Sequence, residues 1–472
     1  MNADESERQV ALSFDQGTLL LQGNINNLLL ADGDRQICKW DHRVNAWRCS
    51  AYHYDRVRKW LRRKLGSNFI DRVPRPENLD WAGVDLPPLR PEQVEALAAW
   101  MKAGRRGQVI MPTGTGKTEV ALAAMDREKV ATLVVAPVRD LMYQWHRRIL
   151  HTFGYNAGIV GDGLHNLKPI TATTYDSAYI HMDKMGDRFG LLIFDEEHHL
   201  PGRCRREAAL LSTAVYRLGL TATPQRSDGL HEDLDELVGP VAYRMPFDRA
   251  KGSTLADFDV IRIPVQLNEH EQKTYDECSN LVRQFIINKR KEQPGYTWKH
   301  LCNESGDDPR ARQALKAYYL KASIEDRAAE KLRVLEDIFR LHKGEPVLVF
   351  TGSNMMAIDI SRRFLAPTIL SHTRKKERLA VLDGFARSQF SVLVANRVLD
   401  EGVDVPRTKV AVVIGGQAST RQAQQRLGRI LRKSGNTRGV LYEVVCQNTK
   451  EVIRSRKRRK SDAYQRTFHR RI

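Results

Sequence analysis

A glycine-rich segment at residues 112–118, Pro-Thr-Gly-Thr-Gly-Lys-Thr, has the composition of a phosphate-binding loop. It follows a short apolar stretch at 109–111 and precedes strong helix formers at 119–125, which is the strand–loop–helix context that such a loop needs. Glycines let backbone N–H groups face an anion, and the helix N-terminus adds its positive dipole end. We expect Lys117 to meet the β- and γ-phosphates of a nucleoside triphosphate and Thr118 to reach Mg²⁺. The residues expected to hold the nucleotide here are Thr113, Gly114, Thr115, Gly116, Lys117 and Thr118.

Carboxylates follow a second apolar run, Leu-Leu-Ile-Phe at 191–194. In a doubly wound sheet, ligands bind where the strands end. Asp195 is therefore predicted to hold Mg²⁺, and Glu196 to orient and polarise an attacking water. Acidic residues after a strand also serve as helix N-caps, so the phosphate loop upstream is what favours a catalytic role.

A third set of polar side chains lies at 424–432, Gln-Gln-Arg-Leu-Gly-Arg-Ile-Leu-Arg. Its three arginines are spaced by three residues, which places their guanidinium groups on nearly one face of a helix. Arg429 and Arg432 are candidates for stabilising charge on a transferred phosphoryl group. The alternative is a solvated helix face.

The charge of the chain indicates a polyanionic partner. With 76 Lys and Arg against 57 Asp and Glu in 472 residues, the formal net charge is +19. The segment 451–472 is strongly basic and is consistent with a solvated end, a nucleic-acid-binding arm or, at 454–460, a nuclear signal. No apolar run approaches the roughly 20 residues that span a bilayer, and the polar start is unlike a signal peptide, so we expect no membrane association.

The cysteines do not suggest a disulfide framework. One local pattern has the spacing of zinc ligands, although the strands predicted there would scatter these side chains over two faces. Its members are Cys38, His42, Cys49 and His53.

Strand-like and helix-like segments alternate after residue 89, which predicts an α/β fold with parallel sheets. Short strands are expected at 109–111, 132–136, 157–160, 170–173, 191–194 and 216–220, with helices at 90–101, 117–127, 139–152 and 203–213. The expected domains are a small β-rich domain at 1–75, a linker at 76–88, a first lobe at 89–244, a second lobe at 245–450 with a helical insertion at about 275–325, and a basic tail at 451–472.

Several segments together resemble the motifs of superfamily 2 helicases and translocases. The segments 112–118, 195–199 and 219–224 resemble motifs I to III, and 399–406 and 424–432 resemble motifs V and VI. The resemblance implies two RecA-like lobes with ATP between them. The further nucleotide-binding residues that it implies are Arg90, Gln93, Gly402, Asp404, Arg429 and Arg432, with Gln93 meeting adenine.

The resemblance also implies roles outside nucleotide binding. Thr221 and Thr223 would couple hydrolysis to movement, while Arg139, Arg226, Asp228 and Arg397 would contact nucleic acid. Arg397 stands where the superfamily usually has a hydroxyl residue.

Within the superfamily, the chain is most similar to XPB-type helicases in their compact archaeal and bacterial form. The residues that carry this likeness are His-His-Leu-Pro at 198–201 and Gln-Arg-Ser-Asp-Gly at 225–229, together with the insertion and the N-terminal domain. Similarity to that family implies 3′-to-5′ translocation on DNA, DNA repair, a nuclease partner, a monomeric state and a cytoplasmic location. Two alternatives stay open: an RNA-dependent ATPase, and a damage-binding protein whose ATPase is a switch without motor activity.

Overall fold

The computed structural model describes residues 9–23, 31–32, 35–81, 83–226, 228–246, 249, 258–370, 372–396, 408–415, 439–459 and 469–471. The chain divides into two units, Met1–Pro246 and Phe247–Ile472. Within the described ranges, no helix has both the length and the apolar character to cross a membrane.

The first unit begins with a small β-rich domain. Its strands are β1 Val10–Asp15, β2 Thr18–Gln22, β3 Ala31–Asp32, β4 Arg35–Gln36, β5 Lys39–Asp41, β6 Ala46–Ser50 and β7 Phe69–Asp71, and its helix is α1 Tyr54–Leu65. Five strands form one sheet in the order β5-β6-β2-β1-β7, while β3 pairs with β4. Helix α1 buries Tyr54, Val57 and Leu61 against this sheet, because they share one face at helical spacing.

The two cysteines of this domain lie on its inner side. Cys38 and Cys49 belong to the hydrophobic core and share a side-chain hydrogen bond. His42 points elsewhere, since its Nδ1 accepts a hydrogen bond of 3.1 Å from Trp40 Nε1. Among the residues that the structure describes, no three His, Cys, Asp or Glu side chains form a group suited to a metal ion.

The side chain of Tyr52 fastens this domain to the larger sheet that follows. Its ring lies 4.6 Å from the guanidinium carbon of Arg106 and 4.8 Å from that of Arg217, within the range of cation–π attraction. Its hydroxyl donates to the carbonyl of Glu236. Arg217 is fully buried, and burial together with nearby Arg106 lowers its pKa to about 9. The β-rich domain is thereby held against the starts of two strands, at Arg106 and Arg217.

The larger part of the first unit is an eight-stranded sheet. Its strands are β8 Arg106–Ile110, β9 Thr132–Ala136, β10 Gly158–Gly161, β11 Leu164–Asn166, β12 Ile170–Thr174, β13 Leu191–Asp195, β14 Tyr216–Thr221 and β15 Val241–Arg244. Its helices are α2 Pro91–Lys102, α3 Lys117–Glu128, α4 Arg139–Phe153, α5 Tyr175–Met185, α6 Glu207–Leu210 and α7 Leu234–Leu237. The order β11-β10-β12-β9-β13-β14-β8-β15, antiparallel only at β11, brings the carboxyl ends of the other seven strands to one edge.

The helix predicted over 203–213 is wrong in length, because the structure has only α6, four residues long. The guanidinium of Arg217 explains the early end. Its Nη2 donates at 3.0 Å to the carbonyl of Ala209, which a helix reaching residue 213 would use for its own hydrogen bond, and at 3.1 Å to the carbonyl of Ser212.

The second unit is built on a seven-stranded, fully parallel sheet. Its strands are β16 Phe258–Val265, β17 Val347–Thr351, β18 Thr368–Ile369, β19 Val392–Asn396, β20 Val410–Ile414, β21 Gly439–Cys446 and β22 His469–Arg471. Its helices are α8 Glu269–Glu292, α9 Trp298–Glu304, α10 Pro309–Arg327, α11 Ala329–Leu341, α12 Asn354–Phe364, α13 Lys375–Ala386 and α14 Lys450–Arg459. The strand order is β18-β19-β17-β20-β21-β16-β22.

Helices α8 to α10 form the insertion between β16 and β17. Tyr296 is buried in a small core of its own with Leu301, so this aromatic residue has a structural role. Trp298 and Tyr319 remain exposed, at 41% and 59% of their surface. Their rings lie 6.5 Å apart, edge to face.

A buried ion pair ties the helix after the insertion to the start of the basic tail. Lys331 Nζ lies 2.9 Å from Glu451 Oε2, and both side chains are fully buried. Glu325, at the end of α10, supplies its carbonyl to Lys331 and its carboxylate to Arg454. The first part of the tail is therefore an ordered helix, α14, packed into the second unit.

Candidate functional site

The phosphate loop lies between the carboxyl end of β8 and the first turn of α3. Gly116 caps α3 with a φ of +82°, and a Cβ there would lie 2.2 Å from Gln93 Nε2 and 2.8 Å from Arg90 Nη2. The loop requires glycine at this position because the backbone turn is left-handed and the space is occupied.

Arg90 and Gln93 both bind the backbone of this loop. The guanidinium of Arg90 donates to the carbonyl of Thr115, and Gln93 Nε2 donates to the same oxygen at 3.0 Å. Gln93 also caps helix α2, where its Oε1 accepts from Arg90 N at 2.8 Å. These contacts place both predicted residues beside the loop, and the adenine contact of Gln93 stays a prediction.

Asp195 ends β13 in a half-buried position next to Lys117. Its Oδ2 accepts a hydrogen bond of 2.9 Å from Trp145 Nε1, and its carbonyl accepts one of 3.0 Å from the hydroxyl of Tyr175. Burial and the neighbouring Glu196 raise the pKa of Asp195 to about 6, while Trp145 and the charge of Lys117 act in the opposite direction. Lys117 of the phosphate loop and Asp195 of the second segment thus lie close enough for their charges to interact.

The raised pKa of Asp195 predicts that Asp195→Asn stabilises the nucleotide-free protein. A carboxyl whose pKa is higher in the folded than in the unfolded state costs stability once the pH exceeds the unfolded value, here 3.8 against about 6. The cost is absent below the lower value, grows between the two, and reaches roughly 3 kcal/mol above the higher one. We expect Asp195→Asn to unfold at a higher temperature than wild type at pH 8, by a margin that shrinks toward pH 5.

Asp80→Asn is the matched control, since the Asp80 side chain is 95% exposed. Thermal melts at pH 5 and pH 8 measure the difference. Equal melting temperatures of wild type and Asp195→Asn at pH 8 would contradict the expectation.

Glu196 follows Asp195 with a left-handed backbone, φ +50°. Its Oε2 lies 3.4 Å from His198 Nδ1 and 3.5 Å from Thr221 Oγ1, and the last two atoms are 3.1 Å apart. Thr223 joins the group, because its N–H donates to Thr221 Oγ1 at 3.2 Å. The predicted water-orienting residue and the two predicted coupling residues therefore form one hydrogen-bonded cluster at the ends of β13 and β14.

Arg226 connects this cluster to the surface. Its Nη1 donates to the carbonyl of His198 at 2.6 Å. The rest of its guanidinium binds Asp228 with two bonds of 2.9 and 2.6 Å, and this pairing lowers the pKa of Asp228 to about 2. The element predicted to contact nucleic acid thus touches the main chain of the histidine beside Glu196.

Arg139, a further predicted nucleic-acid contact, begins helix α4 with its side chain 69% exposed. It pairs with Asp162. The remaining predicted residues lie outside the part of the chain that the structure describes. They are Arg397, Gly402, Asp404, Arg429 and Arg432.

The residues present fit a magnesium-bound nucleoside triphosphate. The Thr113 hydroxyl oxygen is buried and has no hydrogen-bond partner among the described residues, as expected of a group that meets a ligand. Within the described part of the chain, Lys117 Nζ makes one hydrogen bond, 3.2 Å to the Met111 carbonyl, which leaves donors for phosphate oxygens. Thr118 and Asp195 offer the hard oxygen ligands that Mg²⁺ prefers.

Two supporting residues were not assigned a role from the sequence. Trp145 and Tyr175 fix the side chain and carbonyl of Asp195, although both come from distant segments of the chain. Tyr175 directly follows strand β12, and Trp145 lies in helix α4, which follows β9; these positions after strands that end at the ligand-binding edge are the signal that was available.

Comparison with known protein families gives three matches along the chain. Residues 12–73 match the Xeroderma pigmentosum group B helicase damage recognition domain, residues 86–226 match the type III restriction enzyme res subunit, and residues 319–465 match the ERCC3/RAD25/XPB C-terminal helicase.

Individual proteins resemble the chain over most of its length. The DNA 3′-5′ translocase XPB2 of Sulfurisphaera tokodaii is 39% identical, over 92% of this chain and 98% of the relative. The DNA 3′-5′ helicase XPB of Kineococcus radiotolerans is 30% identical over 77% of this chain, which spans 60% of that relative. The structure of S. cerevisiae Dbp5 bound to RNA and ADP BeF3 covers 81% of this chain and 89% of its own, with a TM-score of 0.55 at 14% identity. This last likeness confirms the predicted fold class of tandem RecA-like lobes.

Proposed function

The chain belongs to the XPB family of helicases, and from that premise we propose that it is an ATP-dependent DNA helicase or translocase of 3′-to-5′ polarity that acts in DNA repair. The observation that carries the proposal is the cluster around Glu196. It joins Glu196, the predicted water-orienting carboxylate, to Thr221 at the edge of one sheet, and Glu196 also raises the pKa of the neighbouring Asp195. The relative from Sulfurisphaera tokodaii, similar over nearly the whole chain and called a DNA 3′-5′ translocase, supports the choice of substrate.

In this proposal, residues of the first unit perform the chemistry on ATP. The backbone of 113–118 binds the phosphates, and Lys117 offsets their charge. Thr118 and Asp195 would hold Mg²⁺, which would supply positive charge to offset that of the phosphates. Glu196 accepts a hydrogen bond from the attacking water and then its proton. Its left-handed backbone directs the carboxylate toward Thr221 and His198, and these side chains fix its orientation.

We assign the second unit the residues that complete the reaction. Arg429 and Arg432 supply positive charge to the transferred phosphoryl group, and Gly402 and Asp404 contribute to nucleotide binding. Support comes from the motif resemblance of 399–406 and 424–432 and from the family match over 319–465. Guanidinium groups suit this role because they are always charged and present a planar set of donors.

We propose that DNA is gripped largely through its phosphates. The net charge of +19 favours a polyanion, and phosphate contacts carry no sequence information, so binding is sequence-tolerant and salt-sensitive. Arg139, Arg226, Asp228 and Arg397 take part. Arg226 is placed to transmit DNA engagement, because its hydrogen bond to the carbonyl of His198 ends beside Glu196.

The proposal extends to the setting of the protein. We infer a monomer that works in the cytoplasm beside a nuclease partner. This setting is what the resemblance to compact XPB-type helicases implies, and the Sulfurisphaera tokodaii relative matches over 92% of this chain and 98% of its own length.

The ATPase rate in the presence of different nucleic acids tests the proposal. We expect duplex DNA to raise the steady-state rate above that without nucleic acid, and added salt to weaken the stimulation in proportion to the number of phosphates contacted. The panel comprises duplex DNA, single-stranded DNA and RNA of matched length. Stimulation by RNA alone would refute the DNA assignment and favour an RNA-dependent ATPase.

A further inference from the structure

The turn at 161–163, which joins β10 to β11, presents a carboxylate to the start of helix α4. Asp162 has a φ of +54° between two glycines that also have positive φ. Its Oδ1 accepts a hydrogen bond of 2.5 Å from Arg139 Nη1, and its Oδ2 accepts one of 2.9 Å from the hydroxyl of Tyr143. The two oxygens of one acid are thus held by two separate side chains.

Arg139 and Tyr143 are one helical turn apart and therefore lie on the same face of α4. A guanidinium and a hydroxyl that bind two oxygens of one anion form the arrangement by which proteins bind phosphate. Burial and the charge of Asp162 raise the pKa of Tyr143, so its hydroxyl stays protonated and donates.

Further hydroxyl groups surround the same turn. A Cβ on Gly161 would lie 2.8 Å from Ser177 Oγ, which is 3.0 Å from Thr174 Oγ1. The segments that meet here follow β9, β10 and β12, which are neighbours in the sheet and end at the ligand-binding edge. Two hydroxyl groups, those of Ser177 and Thr174, therefore lie beside the Gly161 end of this turn.

We propose that Arg139 and Tyr143 form a subsite for a backbone phosphate of DNA, and that Asp162 occupies this subsite until DNA displaces it. The inference rests on the proposed function and adds to it a residue, Tyr143, and an internal competitor, Asp162. The competitor is displaceable: the Arg139 side chain is 69% exposed and that of Asp162 31% exposed, and exposed ion pairs are weak. Neighbouring phosphates of the same DNA bind elsewhere on the protein, so the effective concentration of a phosphate at this subsite is high. That concentration allows the phosphate to displace a single carboxylate.

The competition predicts that Asp162→Asn binds DNA more tightly than wild type. Asparagine adopts positive φ readily, so the turn is retained while the charge is lost. Asp80→Asn is the matched control, because it removes one charge from the same unit at a side chain that is 95% exposed. We expect Asp162→Asn to lower the Kd for a labelled duplex by about threefold to tenfold at low salt, relative to Asp80→Asn. Fluorescence anisotropy with the full chain measures the Kd.

A double-mutant cycle identifies the group that is released. In an Arg139→Gln background, Asp162→Asn should gain no more affinity than Asp80→Asn does, because the subsite has lost its cation. Tyr143→Phe should weaken DNA binding less than Arg139→Gln, since it removes a hydroxyl and leaves the charge. Thermal melts confirm that each variant is folded.

Three outcomes would overturn the inference. Equal affinities of Asp162→Asn and Asp80→Asn would show that Asp162 does not compete with DNA. An undiminished gain in the Arg139→Gln background would show that Arg139 is not its target. Either result leaves the proposed function standing as long as wild type binds duplex DNA, whereas a wild type that binds no DNA removes both.

Discussion

Glu196→Gln is expected to lower the rate of ATP hydrolysis by roughly 10²–10⁴-fold, the range for loss of a general base. Glutamine has the size of glutamate but cannot accept the proton of the attacking water. The contacts of Glu196 Oε2 with Thr221 and His198 are at 3.5 and 3.4 Å, so an amide fits the same place. ATP binding should persist, because the phosphate loop and Asp195 are untouched.

A fluorescent ATP analogue and single-turnover hydrolysis separate the two properties. Glu232→Gln serves as the control, since this glutamate is exposed in the same unit. A Glu196→Gln variant that hydrolyses ATP at a rate comparable to that of Glu232→Gln would assign the role of base to another residue. Loss of nucleotide binding together with hydrolysis would instead give Glu196 a structural role.

Lys117→Ala is expected to abolish hydrolysis by a different route, through loss of nucleotide binding as well as of the chemical step. Removal of one charged group that stabilises the transition state costs roughly 10²–10³-fold in rate. Lys117 has a second effect in this structure, because its charge lowers the pKa of Asp195. Without this charge the pKa of Asp195 should rise further. As the pH is lowered, the residual affinity for Mg²⁺ and ATP should therefore be lost at a higher pH than in wild type.

The control is Lys102→Ala, which removes an exposed lysine from the last turn of α2. Nucleotide affinity as a function of pH distinguishes the variants. Hydrolysis retained by Lys117→Ala would mean that residues 112–118 are not the phosphate loop.

Much of the first unit follows from local sequence. The strand predicted at 132–136 is confirmed with the same bounds, and those at 170–173, 191–194 and 216–220 are confirmed to within one residue. Buried parallel strands read as continuous apolar runs, which is why these segments were recognisable. The helices predicted at 117–127 and 139–152 are likewise confirmed, each one residue longer in the structure.

Contacts between distant segments were not predictable. The shortened α6 depends on Arg217, and the docking of the β-rich domain depends on Tyr52 between two arginines. Propensity and periodicity describe neighbours along the chain and contain no information on such pairings. The same holds for Asp162, which in the sequence is only an acid in a glycine turn.

The candidate site shows the same difference between what local sequence predicts and what depends on contacts between distant segments. The residues that perform the chemistry were identified from motifs, whereas the contacts that support them were not. Trp145 and Tyr175 hold Asp195 from two other segments, and His198 contacts both Glu196 and Thr221. These side chains lie close together because the fold brings the carboxyl ends of the strands that precede them to one edge of the sheet.

ATP-driven movement along DNA is the central claim, and displacement of a third strand from a DNA triplex tests it most directly. A translocase that advances along the duplex removes the third strand without having to separate the duplex. We predict release that requires hydrolysable ATP and is absent with Glu196→Gln under the same conditions. No ATP-dependent release by wild type at saturating DNA would contradict the claim and favour a damage-binding protein whose ATPase is a switch.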